Sequence, residues 1–527
     1  MEKSRSKKIE DLSSFEQKAA DSLFRQLDKN NEGFISPDVL WRKLKKMGIL
    51  EDDIRLKEFR IALKKSVTEK GIDKELFLKL GKQDNLVRRA LYRDLIIPDF
   101  KDFCKEIEKI YYEVEKNKKG EIADYIPQLA RVNPEHFALS ICTVDGQRFS
   151  IGDSKDNFCV QSTCKPINYC IAMEELGEET VHKHIGREPS GRSFNELSLN
   201  HKGLPHNPMI NAGAIMACSL IKRNSPIADR FEHISSVWKH LCGDRSVQFN
   251  NSVYLSERQT ADRNFALAYF MRENKAFMPK TDLTETLEFY FQCCSIESCT
   301  ENLSIAAATF ANSGLNPLTG EAIFNENTVR HCMSLMSSCG MYDFSGEFAF
   351  RVGVPAKSGV SGSLLVVIPN VMGISIWSPR LDKMGNSVRG VEFCKKLIDK
   401  FNFHMYDSLM EQTSKIDPRK RKHETKVNKL INLMYAAGFG DLNEIQRLEA
   451  EGMSLNSSDY DGRTALHLAA SENQLEIVKY LLDKKVQIDC EDRWGNTPLN
   501  DAIRGENKEI IKILEEAMVL KDKKKMK

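Results

Sequence analysis

Two apolar stretches, far apart in the sequence, have the pattern of β-hairpins. Phe137–Val144 predicts a strand, and Asp145-Gly146 is a strong signal for a two-residue turn before a return strand that ends at Gly152. Ser363–Ile368 and Val371–Trp377 predict a second pair of strands around a Pro-Asn turn. Most of the chain between the hairpins is typical of helices. We therefore expect one antiparallel sheet that both hairpins close, packed against a large helical insertion.

Residues 11 to about 116, which precede the first hairpin, predict a charged and mostly helical region. Asp28 starts a stretch that imitates the front of a calcium-binding EF-hand loop, with oxygen ligands at positions 1, 3 and 5 and Gly33 at position 6. Position 12 of such a loop should be a bidentate glutamate, but it is Val39 here. We therefore expect weak or absent calcium binding and a helix–loop–helix scaffold.

The last part of the chain repeats itself with a period of 33 residues, which is the ankyrin period. The stretch Thr-Ala-Leu-His-Leu-Ala-Ala that begins at Thr464 is close to the ankyrin consensus. We predict two full repeats after a partial first one, and a protein as their binding partner. A charged linker from about Lys415 to Lys426 precedes them. The residues that recur are Asp459, Gly462, Thr464 and Leu466, as Asp492, Gly495, Thr497 and Leu499.

The composition narrows the class of protein. The chain has 527 residues, of which 41% are hydrophobic and 29% charged, so we expect an ordinary soluble protein of two to four domains. Its formal net charge of +2 gives no electrostatic case for nucleic acid binding. The 14 cysteines form no Cys-x-x-Cys pair, which favours reduced thiols and argues against a zinc site. We predict no bound metal.

The same features bear on the location of the protein. The longest apolar run, Leu364–Trp377, is broken by Pro369 and Asn370 and is too short to span a membrane. The start of the chain has no hydrophobic signal region and is too acidic for a convincing mitochondrial presequence. We expect a cytoplasmic protein, with a mitochondrial location as the alternative if a presequence is missing from this chain.

The candidate chemistry begins at Ser162 and Lys165. Pro166 is tolerated only in the first turn of a helix, so a helix must begin at or near Ser162, with the hydroxyl at its positive end. Lys165 lies three residues on and shares a face with Ser162. A hydroxyl, an amine and free backbone N–H groups are the parts of an acyl-transfer site. The same spacing occurs at Ser4 and Ser236, and the ordinary alternative is a serine N-cap with a solvated lysine.

A second motif supports the catalytic interpretation. Serine β-lactamases and penicillin-binding proteins combine Ser-x-x-Lys on a helix with a Lys-Ser/Thr-Gly strand that lines the same site. Lys357-Ser358-Gly359 stands directly before the second predicted hairpin. Closure of the sheet by the two hairpins would bring residues near 162 and 360 together.

Longer stretches closely resemble the animal glutaminase family, well over residues 120–515 and loosely before them. The resemblance implies a multidomain protein, in which an α+β serine β-lactamase-like catalytic domain is flanked by an all-α EF-hand-like domain and an all-α ankyrin repeat domain. The matching stretches begin at Ala123 (ADYIPQL), His206 (HNPMINAGA), Gly340 (GMYDFSG), Pro355 (PAKSGV) and Leu381 (LDKMGNS). The implied boundaries are 1–118, 119–410, a linker over 411–427, repeats over 428–517 and a basic tail over 518–527.

The resemblance implies hydrolysis of L-glutamine to L-glutamate and ammonia without a cofactor. Ser162 would attack the side-chain amide, Lys165 would act as a neutral base, and Tyr342 would relay a proton to the leaving ammonia. Lys357 is our inferred second cation, which would help burial to lower the pKa of Lys165. The implied substrate-binding residues are Ser162, Asn211, Glu257, Asn264, Tyr290, Tyr342 and Val360, with Tyr125 close by.

Three of these residues have further assigned tasks within the implied site. The backbone N–H groups of Ser162 and Val360 would form an oxyanion hole, and Glu257 is the natural partner of the substrate ammonium. The resemblance further implies activation by inorganic phosphate and a homotetramer. Glu188–Asn200 resembles the family's regulatory loop, although Ser198 stands where some members carry phenylalanine. Two other functions stay open: another Ser/Lys hydrolase acting on β-lactams or peptides, and a catalytically silent, ankyrin-based interaction protein.

Overall fold

A computed structural model describes residues 23–28, 30–67, 70–191, 196–407, 414–420, 422–450 and 453–525. The helical prediction for residues 11–22 and the motif at Ser4 lie outside this part. The chain divides into two compact units, Met1–Arg419 and Lys420–Lys527.

The first unit contains both strands and helices, which are numbered separately in chain order. The strands are β1 Phe34–Ile35, β2 Ile72–Asp73, β3 Ala138–Thr143, β4 Arg148–Gly152, β5 Phe158–Cys159, β6 Gln248–Phe249, β7 Ile296–Ser298, β8 Ala356–Ser358, β9 Ser363–Ile368 and β10 Met372–Trp377. The helices are α1 Pro37–Lys46, α2 Lys57–Ser66, α3 Lys74–Gln83, α4 Asn85–Leu91, α5 Phe100–Val114, α6 Pro127–Ala130, α7 Lys165–Val181, α8 Asn211–Leu220, α9 Ile227–Leu241, α10 Asn251–Gln259, α11 Asp262–Glu273, α12 Leu283–Cys294, α13 Thr300–Ala311, α14 Glu326–Cys339, α15 Ser345–Arg351 and α16 Val388–Lys400. Short 3-10 turns lie at Ile54–Leu56, Gln161–Cys164 and Tyr342–Phe344.

A five-stranded antiparallel sheet in the order β4-β3-β10-β9-β8 forms the centre of this unit. The two predicted hairpins are β3-β4 and β9-β10, and they join because β10 pairs with β3, with Ile374 opposite Ile141. The predicted sheet is therefore confirmed. In the closed sheet, strand β8, which ends at Ser358, lies in the same region as the turn around Ser162.

Both faces of the sheet are covered. The residues of β3, β9 and β10 are buried throughout, because helix α13 packs on one face and helices α5 and α16 pack on the other. A strand buried on both faces is apolar at successive positions rather than at alternate ones. This explains the continuous apolar run from Leu364 to Ile368.

Gly373 in β10 allows helix α13 to lie directly against the sheet. A Cβ atom at this position would lie 2.1 Å from the backbone nitrogen of Ala308 and 2.3 Å from the carbonyl carbon of Ala307. We expect Gly373→Ala to lower the free energy of unfolding by about 3 kcal/mol, because the backbone of α13 would have to move away. Urea unfolding monitored by circular dichroism measures this change.

The control for that variant is Gly81→Ala in α3, where a Cβ would meet no atom within 4 Å. We expect this change to leave stability equal or to raise it by up to about 1 kcal/mol, since alanine favours helices. Equal urea midpoints for Gly373→Ala and the parent would contradict the close packing of β10 on α13.

The segment resembling an EF-hand is a helix–loop–helix scaffold in the described residues. The carboxylate of Asp28 accepts hydrogen bonds from the backbone N–H groups of Glu32 and Gly33, at 3.0 and 2.8 Å, which closes the loop. The loop runs through β1 into α1, whose N-cap is Ser36. Val39, at the position of the missing glutamate, is already inside this helix.

The second unit contains stacked helix pairs. Thr464 and Thr497, which are one 33-residue period apart, both cap a helix through a capping box with the residue three positions later. Buried His467 lies with Nε2 3.1 Å from the carbonyl oxygen of Asn496, which connects successive repeats. The helices are α17 Lys422–Phe439, α18 Leu442–Ala450, α19 Ala465–Ser471, α20 Leu475–Asp483, α21 Pro498–Arg504 and α22 Lys508–Lys525.

Two differences from the sequence-based description appear in this unit. The first repeat is a complete helix pair rather than a partial one, and its first helix begins at Lys422, inside the predicted linker over 411–427. The last helix continues to Lys525 and so includes most of the predicted basic tail. Lysines are good helix formers, so a basic composition alone does not end a helix.

Two further expectations concern the whole chain. All 14 cysteines are free, as the absence of a disulfide pattern predicts. Among the described helices, we find none with the length and apolar character needed to cross a membrane.

Candidate active site

Ser162 lies in the 3-10 turn Gln161–Cys164, which leads directly into helix α7. Pro166 occupies the first turn of that helix, as its missing N–H requires. The Ser162 side chain caps no helix, since neither the turn nor α7 has a side-chain cap. The predicted helix start at Ser162 is confirmed, and the alternative of a serine N-cap is not what this structure contains.

Lys165 is completely buried, at 0% exposure, and its Nζ lies 3.0 Å from Oγ of Ser162. Burial lowers the pKa of Lys165, because an apolar environment disfavours the ammonium. The nearby carboxylate of Glu257 acts in the opposite direction. A buried lysine with a lowered pKa beside a hydroxyl is suited to accept the proton of that hydroxyl.

Asn211 connects Lys165 to a second group of side chains. Its Oδ1 accepts a hydrogen bond from Lys165 Nζ at 2.7 Å and from the Tyr290 hydroxyl at 3.4 Å. Its Nδ2 donates to Oδ1 of Asn264 at 3.2 Å. A neutral amine that donates to Asn211 keeps its lone pair available for Ser162. The predicted residues Asn211, Asn264 and Tyr290 therefore lie together around Lys165.

Glu257, in α10, forms the centre of the other half of the site. Its Oε1 accepts hydrogen bonds from the Tyr125 hydroxyl at 2.6 Å and from Gln161 Nε2 at 3.0 Å. Burial raises the pKa of Glu257, while these hydrogen bonds and the charge of Lys165 act against that rise. The Tyr125 side chain is 46% exposed, so it forms the outer edge of the site.

Tyr342 begins the 3-10 turn Tyr342–Phe344 and has a positive φ of 55°. Burial raises the pKa of its hydroxyl, and a hydrogen bond with Ser162 acts in the opposite direction. Gln161, on the other side of Ser162, also has a positive φ, of 49°. Such conformations cost about 1–3 kcal/mol each in non-glycine residues and occur preferentially at functional sites. Both flank the candidate nucleophile.

The strand β8 brings the second motif to the same place. A Cβ atom on Gly359 would lie 3.0 Å from the carbonyl oxygen of Val160 and 3.4 Å from Cγ2 of Thr163. The chain after β8 therefore passes directly beside the Ser162 turn. Val360 follows, and its Cγ1 and the Tyr342 ring both lie near the place where a Cβ on Gly385 would be. All nine predicted site residues are thus gathered in one region.

Lys357 lies in the site as predicted, but it is not the main cause of the lowered pKa of Lys165. Its Nζ donates to the carbonyl oxygens of Ser358 at 2.7 Å and Gly340 at 3.2 Å, and it lies 4.5 Å from the centre of the Tyr342 ring. Burial, followed by the charge of Lys165, lowers the pKa of Lys357 far below its usual range. The two lysines therefore face one another, but burial is the main cause of the lowered pKa of Lys165.

Comparison with known proteins shows to which family this chain belongs. A family model for glutaminase matches residues 120–406. The liver isoform of glutaminase of Mus musculus, named as mitochondrial, is 44% identical over 90% of this chain and 80% of its own length. The chain belongs to the glutaminase family. A putative glutaminase 2 of Caenorhabditis elegans is 45% identical over 94% of the chain and 85% of its own length.

Other matches agree with the glutaminase assignment and with the rest of the chain. A solved structure described as a probable glutaminase, ybaS, has a TM-score of 0.54 and 34% identity, and it covers 57% of this chain and 97% of its own. An EF-hand domain model matches residues 19–98, and a model for three ankyrin repeats matches 433–524. The predicted fold class is confirmed. The exact boundaries of the predicted domains stay predictions.

Gln161 contacts Glu257 in this site, and the sequence alone did not indicate this residue. It precedes Ser162 directly and holds Glu257, yet a glutamine beside a catalytic motif carries no signal of its own. Its positive φ of 49° and its contact with Glu257 are visible only in the fold. In the predicted regulatory loop, residues 192–195 lie outside the described part of the chain.

Proposed function

We propose that this chain hydrolyses the side-chain amide of L-glutamine to L-glutamate and ammonia through an acyl-enzyme on Ser162. The observation that carries this proposal is the 3.0 Å contact between Oγ of Ser162 and Nζ of a completely buried Lys165. The family membership of the chain supports the substrate, and the side chains around the contact support the chemistry.

In the first step the neutral amine of Lys165 takes the Ser162 proton while Oγ attacks the amide carbon of glutamine. Asn211 holds the amine at 2.7 Å, so its lone pair stays directed at the hydroxyl. The backbone N–H groups of Ser162 and Val360 stabilise the oxyanion that develops on the amide oxygen. Loss of one such donor typically costs about 3 kcal/mol of transition-state stabilisation.

In the second step the C–N bond breaks and the leaving nitrogen takes a proton. Tyr342 supplies it, since its hydroxyl stands beside Ser162 and its raised pKa keeps it protonated. The proton that Lys165 received restores the tyrosine. A water molecule then attacks the γ-glutamyl ester by the reverse arrangement, with Lys165 as the base, and glutamate leaves.

Selectivity for a free amino acid comes from the groups that bind its α-ammonium and its α-carboxylate. Glu257, with its buried carboxylate, pairs with the substrate ammonium. The amides of Asn211 and Asn264 and the hydroxyl of Tyr290 are donors for the α-carboxylate. A β-lactam or an internal peptide amide has no free ammonium beside its scissile bond, so Glu257 favours glutamine over the substrates of other Ser/Lys hydrolases.

We expect Glu257→Gln to raise KM for L-glutamine by about 10- to 100-fold, because a charged hydrogen bond with the ammonium is lost. The neutral amide still accepts from Tyr125 and Gln161 and no longer carries a buried charge, so the thermal midpoint should be unchanged or higher. Steady-state kinetics and thermal unfolding measure both effects. A matched change at Glu288→Gln in α12, paired with Arg258 at the surface, should leave KM unaltered. An unaltered KM in Glu257→Gln would contradict the proposed ammonium contact.

The experiment that tests the function is hydrolysis by the purified full chain of L-glutamine, L-asparagine, a β-lactam and a dipeptide amide offered separately, measured as release of ammonia from the three amides and as ring opening of the β-lactam. We expect release from L-glutamine and at least about 100-fold lower kcat/KM for the other compounds. No release of ammonia from L-glutamine by the folded chain would overturn the proposal and favour the silent, ankyrin-based interaction protein.

Regulation and assembly belong to the same proposal. We propose activation by inorganic phosphate and assembly into a homotetramer, with a protein partner for the ankyrin repeats. The assay repeated with and without phosphate tests the first, and light scattering of the full chain tests the second. The liver isoform of glutaminase of Mus musculus is named as mitochondrial, which supports the mitochondrial alternative for this chain.

A further inference from the structure

A second pocket, of about 370 Å³, lies between the helical region before residue 118 and the central sheet. One wall carries Lys45 and Lys46, in the last turn of α1, and Lys101, in the first turn of α5. The opposite wall carries Arg148, the first residue of β4, and Arg245, which follows α9. None of these residues belongs to the proposed catalytic site.

The charges around this pocket are unbalanced. Among the described residues, Lys45, Lys46 and Lys101 make no ion pair. Among the described residues that line the pocket, Glu301 is the only carboxylate, and Asp52 pairs with both arginines. Five cationic side chains therefore face two carboxylates, and the pocket keeps a net charge of about +3.

Arg148, which lines the pocket, has an unsatisfied hydrogen-bond donor among the described residues. Its side chain is only 6% exposed, and its Nη1 and Nη2 donate to Asp52 at 3.2 and 2.7 Å. Its Nε is buried and has no hydrogen-bond partner within the described part of the chain. A buried N–H of a charged group without an acceptor is costly, and an oxygen atom of a ligand in the pocket would satisfy it.

The walls of the pocket are held in place by the backbone. The backbone N–H of Arg148 donates to the carbonyl oxygen of Gly48 at 2.8 Å, and Gln147 Nε2 donates to the carbonyls of Met47 and Ile97 at 3.0 Å each. Helix α5 has 15 residues and begins at Phe100, which also lines the pocket, so its positive end adds to the attraction for anions. The backbone segments that carry Arg148 and the end of α1 are therefore held together without a ligand.

We propose that this pocket binds a small polyanion with two or more phosphoryl or carboxylate groups, which joins the lysines of the helical region to Arg148 of the central sheet and Arg245 after α9. The charge of about +3 matches an anion of two to four charges better than a single one. A volume of about 370 Å³ equals that of roughly twelve water molecules, more than one phosphate needs. The site is separate from the glutamine site and does not depend on the reaction proposed there.

Calorimetric titration of the full chain at constant ionic strength, with pyrophosphate and separately with citrate, tests this site. We expect saturable binding of at least one of the two, and the tighter one identifies the phosphoryl or carboxylate class. In Lys45→Glu/Lys46→Glu the Kd should increase by about tenfold or more, since both changes reverse charges at the pocket. Both lysines are exposed, so the variant should fold.

The matched control is Lys64→Glu/Lys65→Glu, which makes the same charge change at two exposed lysines in the last turn of α2. Its Kd should stay within about twofold of the parent. Arg148→Lys, which keeps the charge but removes Nε, should also weaken binding. No saturable binding of either polyanion by the parent, or equal Kd values for the two double variants, would overturn the proposal.

Discussion

Ser162→Ala is expected to lower kcat for glutamine hydrolysis by about 10⁴- to 10⁶-fold, because it removes the oxygen that forms the proposed acyl-enzyme. Oγ of Ser162 is the hydroxyl within 3.0 Å of Lys165 Nζ, and alanine leaves that amine without a proton to take. The variant should keep its thermal midpoint, since the Ser162 side chain caps neither the 3-10 turn nor α7. Release of glutamate, measured over hours at high enzyme concentration, quantifies the residual rate.

The chain offers its own control for this variant. Ser236 and Lys239 have the same spacing within α9, and Lys239 is exposed there. Ser236→Ala should therefore keep kcat within about twofold of the parent, because Ser236 and Lys239 are both exposed on the surface of α9 and are not buried together as Ser162 and Lys165 are. Residual activity above about 1% in folded Ser162→Ala would remove Ser162 from the role of nucleophile.

The contrast between these two serines shows what the sequence could provide. Spacing alone cannot separate Ser162 from Ser236, because both pairs lie three residues apart. Pro166 indicated the helix start, and the two hairpins indicated a sheet that brings Lys357-Ser358-Gly359 to it. Periodicity and turn residues are local signals, so strands, repeats and the meeting of distant motifs were predictable.

Burial and backbone strain were not predictable in the same way. The complete burial of Lys165 depends on α8, α12 and β8, which reach it from positions up to about 190 residues away, and no local pattern reports them. The positive φ of Gln161 and Tyr342 is imposed by the surrounding fold on residues that do not favour it. The pocket at Arg148 likewise brings together cationic residues from four separate segments.

The second large effect concerns Lys165 itself and its state of protonation. Lys165→Met should lower kcat by about 10⁴-fold or more, and Lys165→Arg should lower it as far, although arginine keeps the length and the positive charge. A guanidinium cannot lose its proton in the working pH range, so it cannot accept one from Ser162. Equal losses in both variants would show that the free amine, rather than a positive charge, is required.

The pH dependence of kcat/KM tests the same requirement for a neutral amine at Lys165. Burial lowers the pKa of Lys165, so kcat/KM of the parent should rise with pH as the ammonium loses its proton, and the midpoint of that rise should lie below the ordinary lysine value of about 10.4. In Lys165→Arg the rising limb should disappear from the residual rate, because the guanidinium stays charged throughout. If Lys165→Arg kept substantial activity with an unchanged pH profile, Lys165 would act as a fixed cation that positions Ser162. The base would then have to be a different group.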